Sequence, residues 1–194
     1  IMTLPRIPNI VWPRNFKDRS GPAAIEAFGL VLTPEHPEFR RWSSQRSEWP
    51  AEYIGQIERM RLELQLYYAS WNEIELMMNF VGPYIKLIAF GGRRYSLFFG
   101  RKLQVDLGGL KVGGIVDGML ALVFDDPVQP FFFLKVYKKS QGYDNDPFGQ
   151  LLISMIAAQE LNYDGKPIYG CYVIGGLWRF VLLDGQKYAT TQSY

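Results

Sequence analysis

Three segments of the chain carry polar side chains that could do chemistry. In Gly114-Ile115-Val116-Asp117, a carboxylate stands in an otherwise apolar, strand-like run. A carboxylate inside a strand has to be solvated, paired with a charged group or bound to a cation. The apolar run Phe131–Lys139 gains lysines toward its end, and a helix that follows carries Gln150 in its first turns. Cation binding at Asp117 and an ion pair with a lysine of the next strand are therefore the two readings of this acid.

Strand alternation divides the lysines of this segment between the two faces of the strand. It places Lys138 on one face of the strand, together with Leu134 and Val136, and Lys135 on the other face. If Asp117 is a salt-bridge acid rather than a metal ligand, Lys138 is its candidate partner on the adjacent strand. The cluster of Lys135, Lys138 and Lys139 is otherwise typical of a solvated face or of a protected strand edge.

The composition limits the kind of site. The single Cys171 excludes an internal disulfide and a cysteine zinc site, and the single His36 excludes a histidine-rich metal site. Oxygen ligands, and hence Mg²⁺ or Mn²⁺, remain. The sequence has neither a phosphate-binding glycine loop nor a nucleophile elbow. A net charge of +2 does not by itself indicate nucleic acid.

The elements that must position these residues follow from periodicity. The proline-rich residues 1–50 predict an irregular N-terminal arm with one short element. Residues 51–87 are helical in pattern, and Ser70-Trp71-Asn72-Glu73 indicates a capping box that opens a second helix. The first helix has an apolar stripe: Ile54, Ile57, Met60, Leu64 and Tyr67.

Residues after Gly92 change to a strand period. Breaks at Gly100, at Gly108-Gly109 and after Phe124 predict a meander that ends with Phe131–Tyr137. Asp146-Pro147 predicts a helix start, with Asp at the N-cap and Pro at the first turn, and this helix ends near Asn162. Strands then close the chain. The fold class is an α/β sandwich with a mixed sheet flanked by helices.

In this order of pieces, the chain resembles the PD-(D/E)XK nuclease superfamily, and in particular a group of bacterial nuclease-like proteins. The resemblance covers roughly residues 65–194, and the domain is expected to span 51–194. The superfamily pattern is an acid on the first helix, a G-x-x-D strand, an acid-x-Lys strand and a helix that bears a Gln. The matching stretches are Asn72 to Leu76, Gly114 to Asp117, Phe131 to Lys139, Asp146 to Leu152, and Ile168 to Gly175 with Trp178 and Phe180.

The resemblance implies a restriction-endonuclease-like fold and phosphodiester hydrolysis of nucleic acid, DNA first, with Mg²⁺ or Mn²⁺. It makes Asp117 a metal ligand, Glu73 (or Glu75) an accessory ligand, Lys138 the catalytic lysine and Gln150 a residue that orients water or phosphate. The pattern is broken at position 136, where valine stands in place of the acid. Neither Glu160 nor the loop residues Asp144 and Asp146 is an obvious substitute.

Three interpretations remain open. The chain is a metal-dependent nuclease, or a degenerate nuclease fold that binds nucleic acid or protein, or an unrelated α/β domain with a ligand cleft or a dimer interface. Glu73 also has a purely structural explanation in the capping box. No apolar run approaches the about 18 residues of a membrane span, and no signal peptide is visible, so a cytoplasmic protein that does not enter membranes is expected. Self-association is left open.

Overall fold

The fold is that of a computed structural model, which describes residues 20–46, 48–87, 95–107, 110–123, 127–137, 146–174 and 177–191. Its helices are α1 Gly21–Phe28, α2 Pro37–Ser44, α3 Ala51–Tyr67, α4 Glu73–Leu76, a π-helical turn Met77–Val81, α5 Gly82–Leu87 and α6 Pro147–Asn162. Its strands are β1 Val31–Leu32, β2 Tyr95–Leu107, β3 Leu110–Val123, β4 Pro127–Tyr137, β5 Ile168–Ile174, β6 Leu177–Asp184 and β7 Lys187–Thr190.

The strands form one seven-stranded mixed sheet in the order β1-β7-β6-β5-β4-β3-β2. β2, β3 and β4 are an antiparallel meander. β4 and β5 are parallel and are connected through α6, whereas β5, β6 and β7 are again antiparallel. The predicted α/β class with a mixed, helix-flanked sheet is confirmed.

Two apolar clusters cover the two faces of the sheet. The first packs α6 on one face and includes Phe133, Leu151 and Tyr172. The second packs the α4–α5 segment on the other face, through Leu76 and Val136 among others. Side chains that alternate along β4 therefore enter different clusters, as a strand buried on both faces requires.

The helix α6 begins and ends where the sequence predicts. Asp146 is its N-cap, and its Oδ1 accepts from the backbone N–H groups of Phe148 and Gly149 at 2.9 and 3.3 Å. Pro147 occupies the first turn, and the helix ends at Asn162. Since this helix is buried along almost all of its length, it fixes one wall of the site described below.

The chain before residue 51 is more regular than expected. Residues 20–46 contain two helices and a strand rather than one short element, and β1 pairs with β7 in the sheet. Asp146 Oδ2 also accepts from the backbone N–H of Gly21 at 2.6 Å, so the start of α1 is fastened to the start of α6. Part of the predicted arm thus belongs to the sheet and its helical layer.

The α3–α5 segment differs in detail from the prediction. In α3, Ile57, Met60 and Leu64 are half-buried, but Ile54 and Tyr67 of the predicted stripe are exposed. After α4 the helix widens into a π-helical turn, in which the N–H of Gly82 bonds to the carbonyl of Met77. Pro83 has no N–H to donate to the previous turn, which is one reason why the regular α-helical pattern is interrupted here.

Candidate functional site

Asp117 in β3 is paired with a lysine of the neighbouring strand. Lys135 Nζ donates to Asp117 Oδ1 at 2.9 Å, and the backbone N–H of Val136 donates to Asp117 Oδ2 at 2.9 Å. The side chains of Asp117 and Lys135 are 25% and 17% exposed. Both carboxylate oxygens therefore have a donor, and one of these donors carries a full positive charge.

The register of β4 on β3 explains why the partner is Lys135. Counted back from the pair Val123↔Pro127, the strand would place Phe133 opposite Asp117. The register shifts between Leu120 and Leu122, and beyond this bulge Gly118 pairs with Leu134. One step further along, Lys135 stands opposite Asp117. The bulge contains Gln129, whose φ of 48° is in the left-handed region, as one residue of many bulges is.

Strict alternation also fails around Asp117 itself. Val116 and Met119, three residues apart, both pack in the cluster under α6, as do Phe98 and Leu103, five residues apart. Between Phe98 and Leu103 lies Gly100, with a φ of 61°. This local distortion of β2 and β3 lets Val116 and Asp117, which are consecutive, line one small cavity.

The Asp117–Lys135 pair lies against the first turns of α6. Gln150 and Ser154 are buried and line the same cavity as the pair. Ser154 Oγ donates to the carbonyl oxygen of Gln150 at 3.0 Å. The cavity volume is about 10 Å³, which is the space of one water molecule. A phosphate group would enter only if side chains moved.

The structure brings together some of the predicted site residues and separates others. Asp117 and Gln150 share the cavity, and Lys135, which was expected on the other face, joins them. Lys138 and Asp144 lie outside the described residues. Glu73 is exposed at the first position of α4, and α4 packs on the opposite face of the sheet through Leu76.

The predicted role of Glu73 in a capping box is wrong. The cap is Asn72, whose Oδ1 accepts from the N–H of Glu75 at 2.9 Å, and the carboxylate of Glu75 accepts from the N–H of Asn72 at 2.6 Å. The motif therefore starts two residues later than Ser70 and uses Glu75 as its far half. Glu75 is thereby engaged at a helix end.

The described residues do not fit a magnesium centre. The side chain of Val136 is 2% exposed in the cluster under α4–α5, and Phe133, two residues before Lys135, is 1% exposed in the other cluster. Asp146 is occupied as a helix cap. Among the described ranges, no three His, Cys, Asp or Glu side chains are grouped as metal ligands would be. Mg²⁺ requires several oxygen ligands in octahedral geometry, and in the described part of the chain no second acid near Asp117 supplies one.

A second polar cluster lies at the opposite end of β4 and was missed by the sequence analysis. Tyr169 Oη donates to Glu38 Oε1 at 2.5 Å, and Arg41 makes two hydrogen bonds to the same carboxylate, at 2.7 and 3.0 Å. These bonds, that of Arg41 foremost, hold the pKa of Glu38 below its usual range. Burial and the bond to Glu38 raise the pKa of Tyr169 to about 12.

His36 has a partner that its proline-rich surroundings did not indicate. Its Nε2 lies 3.2 Å from Asp184 Oδ2, and its ring is buried. Glu38, Arg41 and Asp184 border a cleft of about 510 Å³. The residues come from segments far apart in sequence, and no short motif unites them.

Searches of protein-family models, of curated proteins and of solved structures find no match to this chain. No helix in the described part of the chain has the length and hydrophobicity to span a bilayer.

Proposed function

We propose that the chain is a catalytically degenerate PD-(D/E)XK nuclease-like domain that binds nucleic acid without cleaving it. The observation that carries the proposal is the pairing of Asp117. Where the superfamily pattern would use this acid to bind a metal, its oxygens accept from the Lys135 ammonium and from a backbone N–H. An internal cation thus neutralises the carboxylate.

The second acid of the pattern is absent for either choice of lysine. If Lys138 is the lysine of acid-x-Lys, the acid position is Val136. If Lys135 takes that role, the position is Phe133. Both side chains are buried in apolar clusters. This supports a degenerate site, since a single carboxylate binds Mg²⁺ weakly.

The order of elements supports the superfamily resemblance. The helical α3–α5 segment is followed by an antiparallel meander β2–β4, by the crossover helix α6 and by the parallel strand β5. This is the order in which the resemblance places its acid-bearing helix, its two motif strands and its Gln-bearing helix. Gln150 lies at the cavity of Asp117, as that pattern expects.

Exposed cations beside Asp117 offer contacts to a phosphate backbone. Arg101 and Lys102 are exposed on β2, and they pair with Val116 and Ile115 of β3, directly before Asp117. Lysine and arginine side chains provide most of the salt-dependent affinity for nucleic acids. We infer that this edge of the meander contacts the backbone.

A cleavage assay tests the catalytic half of the proposal. Labelled single- and double-stranded DNA and RNA are incubated with the full chain in Mg²⁺ or Mn²⁺. We expect no products at high protein concentration, and the same result for Lys135→Met, which frees Asp117 but adds no second acid. Metal-dependent products that disappear in Asp117→Ala would overturn the proposal.

A binding titration tests the other half. We expect fluorescence anisotropy to show binding at 50 mM salt that weakens steeply by 200 mM, and Arg101→Ala with Lys102→Ala to reduce the salt slope by about 2. Lys86→Ala, an exposed cation of α5 on the other face, is the matched control. Absence of binding at low salt would leave only a protein-interaction role for the degenerate domain.

A metal-dependent nuclease is the second candidate. It is favoured by the convergence of an acid, a lysine and a glutamine (Asp117, Lys135 and Gln150) on one cavity. In that case Lys135 rather than Lys138 is the lysine at the site. The cleavage assay separates the two candidates, because only this one predicts products that require both Asp117 and Lys135.

A further inference from the structure

A cleft with space for a ligand lies at the end of β4 remote from Asp117. There the described residues enclose a cleft of about 510 Å³. Small-molecule sites usually have between about 300 and 1,000 Å³. The cavity at Asp117, in contrast, has space for one water.

Aromatic side chains form much of the wall of the cleft. Tyr95 and Phe131 meet edge to face with their ring centroids 5.0 Å apart, and Tyr169 contributes a third ring. Tyr169 is fixed by Trp42, whose ring lies 4.9 Å away, and by its bond to Glu38. Fixed rings of this kind bind flat, apolar surfaces with little loss of conformational entropy.

The charged residues of the described wall are already engaged with partners in the protein. Glu38 is bonded to Arg41, Asp164 is paired with Lys166 at 3.5 Å, and Asp184 is bonded to His36. A charged ligand would compete with these pairs, and an anion would meet three carboxylates. A neutral ligand leaves all of them in place, so the cleft favours an uncharged compound.

Two local features of the wall indicate a specific ligand. Gln129 keeps a φ of 48°, and its strained backbone is held by Asn162, whose Nδ2 donates to the carbonyl of Pro130 at 2.7 Å. Asn162 Oδ1 is buried and has no hydrogen-bond partner among the described residues. Strained residues and unsatisfied acceptors are concentrated at ligand sites. A ligand N–H that displaces the side chains around this oxygen would donate a hydrogen bond to it.

We propose that this cleft binds an uncharged planar heterocycle with an N–H donor, which is the chemistry of a nucleobase. The ring lies against Tyr95 and Phe131, and the N–H is directed to Asn162. The base comes either from a free nucleoside or from an unpaired position in a strand. This site is separate from the Asp117 region and does not depend on the nuclease resemblance.

Calorimetric titration with matched nucleosides tests the ligand class. Uridine and 3-methyluridine have the same ring, but only uridine carries the N3–H donor, and adenosine and N6,N6-dimethyladenosine form a second pair. We expect a member of at least one pair to bind, its methylated analogue to bind about tenfold more weakly, and the 5′-monophosphate to bind no better. Equal affinity within each pair would exclude the Asn162 contact, and failure of all four nucleosides to bind would overturn the proposal.

Variants locate the site. Tyr95→Ala removes a half-exposed ring and is expected to weaken binding about tenfold. Ile115→Ala, which truncates a more exposed apolar side chain beside Asp117, is the control and leaves the affinity unchanged. Asn162→Leu should abolish the difference between the methylated and unmethylated ligands; a persistent difference contradicts the assignment.

A short single strand distinguishes the two sources of the base. If the base comes from a strand, a trinucleotide binds more tightly than its nucleoside, and Tyr95→Ala weakens both. If the source is a free nucleoside, the trinucleotide binds more weakly. Strand binding that is unaffected by Tyr95→Ala, with no nucleoside binding, assigns nucleic-acid contact to the Arg101 edge alone and refutes this second site.

Discussion

At the two ends of β4, a recognisable sequence pattern and the space for a ligand are separated: one end has the pattern, and the other has the space. The end with the recognisable pattern carries Asp117, Lys135 and Gln150, yet Asp117 and Lys135 pair with each other beside a cavity of about 10 Å³. The end without a motif, roughly 13–20 Å away along the strand, has a cleft of about 510 Å³ with a strained backbone and an amide oxygen that has no hydrogen-bond partner among the described residues.

Suitable residue types and available space are therefore separate requirements for a binding site. A carboxylate whose two oxygens already accept hydrogen bonds within the protein is not free to bind a metal ion, even where it fits a sequence pattern. The cleft is built from side chains that are individually ordinary, and only their arrangement makes it a binding site. Substitutions at each end of β4 test this difference.

The largest effect is expected for Val136→Glu. The new carboxylate would be buried among apolar side chains under α4–α5, on the face away from Asp117, and should lower the free energy of unfolding by about 4 kcal/mol. Denaturant titration measures it, with Val136→Thr as the nearly isosteric control, at about 1 kcal/mol. If Mg²⁺ instead raised the melting temperature of Val136→Glu, the new carboxylate would bind the metal together with Asp117. A single substitution would then restore the metal site of the superfamily pattern.

Loss of one partner of the Asp117–Lys135 pair should have the next largest effect. Asp117→Ala and Lys135→Met are each expected to cost about 2 kcal/mol, because the remaining group is only partly exposed. The double variant should lose less than the sum of the two, by about 1 kcal/mol in a double-mutant cycle. Additive losses would show that the two charges do not stabilise each other.

Gly100→Ala probes the distortion of β2 beside Asp117. A Cβ there meets no atom within 4 Å, but φ is 61°, so the cost is backbone strain of about 1–2 kcal/mol. Chemical denaturation measures this loss of unfolding free energy. Gly55→Ala in the exposed helix α3, where space is also open, should on the contrary stabilise by about 1 kcal/mol.

At the other end, Gln129→Gly is expected to stabilise the protein by about 0.5 kcal/mol. The left-handed backbone costs glutamine more than glycine, and the gain is reduced by the greater entropy of glycine in the unfolded chain. The midpoint of urea unfolding reports it. Val128→Gly, next to it, should destabilise; a loss in both variants would mean that Gln129 is not strained.

The smallest effect concerns Tyr169 at alkaline pH. Because its pKa is raised from 10.0 to about 12, folding favours the neutral phenol. Its contribution to stability is therefore complete below pH 10 and is lost as the pH rises toward 12. Tyr169→Phe should show a shallower decline than the wild type between pH 9.5 and about 11.5. Identical slopes would contradict a raised pKa of Tyr169 in the folded protein.

Much of the fold follows from local rules in the sequence. The strand period after Gly92, the cap at Asp146-Pro147 and the end of α6 at Asn162 are all confirmed. These features depend on residues close together in the chain. Before residue 51 only one short element was predicted, and β1 was missed because it forms a parallel pair with the distant β7 and its short length carries no period.

The candidate site was predictable in its members but not in its pairing. Asp117 and Gln150 were identified from residue type and resemblance, and the cavity unites them. The choice of Lys138 over Lys135 followed from the acid-x-Lys spacing of the resemblance, whereas the lysine that pairs with Asp117 in the structure is Lys135. The bulge at Gln129 sets the register, and its geometry is not encoded by a glycine or a proline at the strained position.

The bulge in β4 has a consequence for how such a domain tolerates insertions and deletions. It displaces the pairing by two residues, and two is the repeat of a strand, so every side chain downstream keeps its face. Removal of the two extra residues near Gln129 would therefore leave both apolar layers intact and keep Lys135 opposite Asp117, since the pairs beyond the bulge are unchanged. If the two residues stayed and the strand paired without the bulge, Phe133 would stand opposite Asp117 and the acid would face a ring instead of an ammonium.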